Sequence, residues 1–388
     1  MSKFIFILIN FISLLVFISS NLREYKAKID EKELIYKSSY LIDEDAIIDE
    51  GEMKSFSLDE ISLLVVGGAK VTIIERNITK IVPKSNLRNL LQEENEEEFK
   101  NSNNYKYGLT ANIVAIGSGT EINIISSSIL VDCPFSDAIV ALDGATIRIK
   151  NSIIKTKQKY SKGAKFYNSI IEFSEKTLIN TIGDFSPCIE LNGKDDNFIN
   201  IFSIILNTTG QESPLINTIS KGELNIISGE GTAENSQILV MQGICKVSLH
   251  LCTFNSKLKR ISNNDNNNLN NAGIVLYQNE ENFGGEADLQ MYNCKFNTDN
   301  VKIEDIIMIS CYNVEASITV DNTEFKFKNI FMKAEKTENS NIYTKVQVEL
   351  KQINFKGKII ASEDSEIILK GDKNNINNAL DLEGNVSF

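Results

Sequence analysis

The feature that most constrains this chain is a beat. A small polar residue followed by an apolar pair recurs at Ser136-Asp137-Ala138-Ile139, Ser186-Pro187-Cys188-Ile189, Ser213-Pro214-Leu215-Ile216 and Ser236-Gln237-Ile238-Leu239, with a degenerate copy at Ser161. The steps between these serines are 25, 25, 27 and 23 residues. A second set of marks, Ser128-Ile129-Leu130, Ser152-Ile153-Ile154, Thr177-Leu178-Ile179 and Ser203-Ile204-Ile205, advances by 24, 25 and 26. Looser copies follow at Cys252-Thr253-Phe254-Asn255, Asn293-Cys294-Lys295-Phe296, Asn322-Thr323-Glu324-Phe325 and Ile353-Asn354-Phe355. Between the marks run stretches such as Thr146-Ile147-Arg148-Ile149-Lys150 and Ser317-Ile318-Thr319-Val320, whose period-2 alternation is that of a half-buried strand. Helical periodicity is confined to the N-terminal apolar run and, weakly, to Leu87–Phe99.

A unit of about 25 residues holding two or three short strands predicts an all-β chain wound as a single parallel β-helix, or β-solenoid. One coil cannot bury its apolar face alone, whereas coils stacked about 4.8 Å apart pair every backbone group and close a continuous core. A β-sandwich also has closely spaced strands but no higher-order beat. The helix is expected over residues 61–380, with excursions at 81–107 and 258–271, a bulge at 278–287, an N-terminal cap or leader at 21–60 and a tail at 381–388.

The first 20 residues have a basic start at Lys3, an apolar run from Phe4 to Ile18 and small residues at Ser19 and Ser20. That pattern reads as a signal peptide in preference to an uncleaved anchor, because a spanning helix needs about 20 apolar residues. The expected address is secreted or cell-surface, with no membrane span once the signal is removed. In such a compartment the six cysteines are permitted to pair, but they lack CxxC spacing and several sit in apolar strand patterns, so a role as small buried hydrophobes is equally consistent. Asn77, Asn207 and Asn385 each open an Asn-x-Ser/Thr acceptor pattern and are the candidate N-glycosylation sites of a glycoprotein, should the host be a eukaryote.

Charge and rare residues narrow the chemistry. With 52 acidic and 40 basic side chains the net charge is −12, which argues against nucleic acid as a partner. A single histidine rules out multi-histidine metal sites and routes any histidine-dependent nucleophile through His250. His250 lies between Leu249 and Leu251 and reads as a solvent-facing strand residue. Asp195-Asp196 is the pair best suited to Ca²⁺, although a hydrated turn is the simpler reading. Arg148 reads as an outward rung residue. Gly67-Gly68 and Gly284-Gly285 open no helix and are turn glycines, not a phosphate cradle. Recurrent asparagines at the corners are expected to stack into ladders. No catalytic, metal or cofactor-binding residue is therefore assigned.

Several segments together resemble a known group: Tyr107-Gly108-Leu109-Thr110-Ala111-Asn112, the Ser136 and Ser186 copies, Ala272-Gly273-Ile274-Val275-Leu276-Tyr277-Gln278, and Phe355-Lys356-Gly357-Lys358-Ile359-Ile360. The order is similar to that of the right-handed parallel β-helix, adhesin-like exported proteins of bacteria, which share the pectate-lyase-like superfold. The resemblance spans roughly residues 50–380 and carries no catalytic signature. Thr110-Ala111 departs from the group's usual Asn-Ala, and glycine is scarcer. It implies a right-handed helix and export. The expected function is a non-enzymatic scaffold for adhesion or ligand binding, with glycans or cell-surface proteins as partners; the alternative is a polysaccharide lyase or glycoside hydrolase on the same fold.

Overall fold

The structure, a computed structural model, describes residues 22–83, 86, 98–193, 197–219, 221–258, 272–278, 285–298, 306–336 and 342–388. Residues 1–20, where a signal peptide is expected, Asp195-Asp196, Gly284 and nearly all of the 258–271 excursion lie outside them.

The chain winds as a right-handed parallel β-solenoid of about 25 residues per coil. A typical coil runs Ile113–Ile116, Glu121–Ile125 and Ser128–Asp132, and the next repeats it with Ile139–Leu142, Thr146–Lys150 and Ile153–Thr156. Among the described residues, stacking these gives three sheets of 14, 13 and 10 strands. They are called here the first, second and third sheets, in the order the chain visits them within a coil. Register is direct: Ile113 lies beside Ile139, which lies beside Ala164, then Ile189, Ile216 and Leu239.

Alternation explains the lumen. In the second sheet Ile122, Ile147, Ile171, Ile199, Leu224 and Val247 point inward and are fully buried, while their neighbours point out. Hydroxyl ladders tie the corners. The backbone N–H of Ser136 donates to Ser161 Oγ, that of Ser161 to Ser186 Oγ, and that of Ser186 to Ser213 Oγ, at 3.4, 2.9 and 2.9 Å. The first set of sequence marks is therefore a physical column. The second set slips by one residue at both ends. Ser128 pairs with Ile153 and Thr177 with Ile204, so the true rung is Ser127-Ser152-Thr177-Ile204. Farther along, the same column holds Cys252 and Cys294, whose backbone N–H groups donate to Cys294 Sγ and Thr323 Oγ1. All six cysteines are free and buried.

Of the asparagine stacking expected at the corners, the turn after the second sheet carries one pair, Asn322 Nδ2 donating to Asn293 Oδ1 at 2.7 Å, flanked in the column by Leu251 and Gln352. Gly67 and Gly68, at φ +71° and +81°, are turn residues as expected. Toward the C-terminus the third sheet stops at Glu324–Lys326, and the rings of Phe325, Phe327, Phe331 and Phe355 close that corner. Residues 380–387, where a tail is expected from 381, carry the strands Leu380–Gly384 and Val386–Ser387, paired in the first and second sheets. The helix Lys373–Ala379, N-capped by Asp372, places the buried Ile376 over the end of the lumen.

Candidate functional site

The outer sides of the first two sheets differ. In the first sheet the strands Ile61–Val65, Ile113–Ile116, Ile139–Leu142 and Ala164–Tyr167 are buried at every position. Two segments roof it. A hairpin of Arg23–Ile29 and Lys32–Ile42 pairs in parallel with Ile61–Val65 only through Ser38–Ile42, so its tip is free to fold across the outer face. Its turn residues Asp30 and Glu31 have φ of +50° and +64°, as a two-residue hairpin requires. Beneath it Ile29, Leu34 and Tyr36 form a second core with Leu64, Val66, Val114, Ile116 and Val140.

The other roof is a strap, residues 98–112, from the first excursion. Gly108 sits on it at φ +69°, and a Cβ there would lie 2.9 Å from Val140 Cγ1, so only glycine lets the strap approach this closely. Both roofs meet at Asp30, whose carboxylate accepts from the hydroxyls of Tyr107, at 3.0 Å, and Tyr167. Burial, with Asp30 alongside, pushes the Tyr107 hydroxyl up to about 12 and raises that of Tyr167 further.

Under the strap lies a cluster of charges. Lys162 Nζ is 3.3 Å from Glu190 Oε1 and 3.9 Å from Asp137 Oδ1, and Lys165 Nζ is 3.9 Å from Asp137 Oδ2. Their side chains are between 1% and 7% exposed. Tyr105 closes the cluster from above: Lys162 Nζ donates to its hydroxyl at 2.6 Å and Lys165 Nζ to its carbonyl at 3.1 Å. Asn217 Nδ2 donates to Glu190 at 3.3 Å.

Burial disfavours every charge here. It raises Asp137 above the usual carboxylate range despite both lysines. Lys162 resists burial because Asp137, Glu190 and Tyr105 surround it, so its ammonium is held above the ordinary value. Lys165 yields: burial and the neighbouring Lys162 lower it to about 8. Two cations and two anions nearly cancel, and the cluster pins the strap rather than opening to solvent. Phe135, Tyr160 and Phe185 stack beside it with ring centroids 4.8 Å apart, and Phe99 of the strap packs on Phe135 at 5.0 Å.

The second sheet is open. Its outward residues form columns in register. One runs Asn123, Arg148, Glu172, Asn200, Asn225, Ser248 and on to Gln290. Arg148 is the outward rung residue expected, bonded to Glu121 at 3.0 Å and Glu172 at 2.8 Å. His250 faces outward as expected, half-buried between the buried Leu249 and the exposed Leu251, and stacks on Tyr292 with centroids 4.7 Å apart and planes 15° from parallel. The structure thus brings His250 onto an aromatic partner and leaves it far from the Asp137 cluster in the fold.

Among the candidate acceptors, Asn77 is exposed at the start of a third-sheet strand, Asn207 is half-buried on an outward position of the same sheet, and Asn385 is exposed, its Nδ2 donating to Ser365 O at 2.9 Å. A buried cation missed by the sequence reading is Lys80. It points into the lumen and donates to the carbonyls of Leu58 and Glu60 at 2.9 and 2.6 Å, and burial lowers it to about 8. Among the described residues no helix is long and apolar enough to cross a membrane, and no group of three His, Cys, Asp or Glu is placed to hold a metal ion. No family model and no curated protein matches this chain.

Proposed function

We propose that this chain is an exported, non-enzymatic scaffold that binds glycans or cell-surface proteins through its open second sheet. The observation that carries this reading is the pair of faces. The buried charges of Asp137, Lys162, Lys165 and Glu190 sit beneath the strap and neutralise one another, whereas the second sheet presents ordered columns of hydrogen-bonding and aromatic side chains over many coils. A rigid backbone that fixes such columns loses little conformational freedom on binding. Export rests on the segment 1–20, and Asn77, as the exposed acceptor at a strand start, is the first N-glycosylation site to examine in a eukaryotic host.

The chain from residue 22 onward, applied to arrays of glycans and of surface proteins, is expected to bind without altering them. Release of products from a polysaccharide panel, abolished by changing Asp137 or Glu190, would overturn the scaffold reading in favour of a lyase or hydrolase uncovered by movement of the strap.

A further inference from the structure

Within the open sheet one stretch is unlike the rest. On either side the middle outward column is charged, with Arg148 and Glu172 before it and Glu349 and Lys370 after it. Between them, over five consecutive coils, it reads Asn200, Asn225, Ser248, Gln290 and Thr319, all neutral. In the first four of those coils the next column toward the third sheet reads Phe202, Ile227, His250 and Tyr292, and in the fifth it reads Asp321. Phe202 is 50% exposed, and at the adjacent corner Leu251 is 59% exposed. Amide groups, with the Ser248 hydroxyl buried between them, therefore run alongside apolar and aromatic faces, two parallel tracks along the solenoid axis.

The amides are held in place. Asn225 Nδ2 donates to Asn200 Oδ1 at 3.3 Å, Ser248 Oγ to Gln290 Oε1 at 3.3 Å, and Gln290 Nε2 to Asp288 Oδ2 at 2.7 Å. Lys246, which borders these tracks, is paired with Glu223 at 3.1 Å.

We propose that this window, centred on the His250–Tyr292 stack, is a binding site for a linear, uncharged, β-linked polysaccharide lying along the axis. A pyranose offers an apolar C–H face that stacks on rings and an equatorial rim of hydroxyls that bonds to amides. The two tracks present those two needs side by side. Two coils advance about 9.6 Å, close to the repeat of an extended β-linked disaccharide, so successive sugars meet equivalent rungs. Among the described residues the window shows no unpaired cation to recruit a polyanion, and the chain's charge of −12 repels one. A single aromatic platform with amide neighbours supports weak, additive binding, which suits a ligand of many repeats.

The inference rests on the scaffold reading and narrows it. Titration calorimetry with cellohexaose and chitohexaose, alongside an acidic hexasaccharide of polygalacturonate, tests it. Either neutral oligomer is expected to bind, with at least a tenfold loss in both Tyr292→Ala and Asn225→Ala and no change in Lys155→Ala on the third sheet. Matching thermal transitions show that these surface variants fold. Equal binding by wild type and window variants would overturn the site while leaving the scaffold. Binding of the acidic oligomer alone would overturn the ligand class. Cleavage of any oligomer would overturn the scaffold reading itself.

Discussion

On the first sheet, strands from Ile61 to Tyr167 are buried on both faces; on the second, the same coils alternate buried and half-exposed residues from Lys70 to Ser174. The lumen beneath the two is the same kind of aliphatic stack. What differs is contributed from outside the repeat, by the hairpin and the strap, which cover ion pairs built from the coils' own Asp137, Lys162, Lys165 and Glu190. Regularity therefore builds the rod, and irregular insertions decide which side of it stays accessible.

The sharpest way to break this comparison is to remove one charge from under the strap. Lys162→Ala leaves Asp137 and Glu190 buried with only Lys165 nearby and is expected to cost about 3–5 kcal/mol in denaturant unfolding. A loss below about 1 kcal/mol would show that water reaches the cluster and that the roof is open.

Next in size is Asp30→Ala, which deprives the buried Tyr107 and Tyr167 hydroxyls of their shared acceptor. About 1–3 kcal/mol is expected, read as faster proteolysis within the hairpin. Protection equal to wild type would detach the hairpin from any roofing role.

A titration sharpens the contrast further. Lys165, lowered to about 8 in the fold, regains its ordinary value near 10.5 when unfolded, so between those values the unfolded chain binds the extra proton and stability rises with pH. This contribution is at most about 1.4 kcal/mol per pH step. Buried tyrosines and cysteines act the other way there, so the quantity to measure is wild type against Lys165→Met. Wild type is expected to gain on the variant as pH rises from 8 to 10, and parallel curves would place Lys165 in water.

The smallest effect belongs to the open face: Arg148→Ala, despite two carboxylate contacts, is expected to change stability by less than about 1 kcal/mol, because solvent already screens the pairs. A larger loss would mean that this face, too, is covered.

How far the chain announces all this follows from the range of the forces involved. The beat is legible because each coil must match the next, so small residues recur at the corners where hydroxyls stack. It blurs by one residue at Ser128 and Ser203 because corners hold several small residues in succession: Ser126, Ser127 and Ser128 are consecutive, and only Ser127 occupies the rung. Ser203, at φ +59°, is the turn residue before its rung.

The roof is far less legible. Asp30 meets Tyr167 across 137 positions, a contact that no local pattern encodes. Its one trace is the contrast between continuous apolar runs such as Ile61-Ser62-Leu63-Leu64-Val65-Val66 and alternating ones such as Thr146–Lys150, since a strand buried on both sides needs no polar partner positions. Lys162 and Lys165 fall in the degenerate copy after Ser161, so what looked like decay of the motif is where the cluster was inserted. On the open face, His250 is conspicuous as the single histidine, but Tyr292 stands 42 residues away and becomes its neighbour only once the register is known.

The bond from Asp30 to Tyr167 also bears on how such a rod would respond to pulling. A solenoid held only by contacts between adjacent coils peels from its end one coil at a time under modest tension. Here the hairpin spans the strands beginning at Ile61, Ile113, Ile139 and Ala164, so a tether drawn from the N-terminal side loads those coils in parallel, and the first rupture must break them as a block.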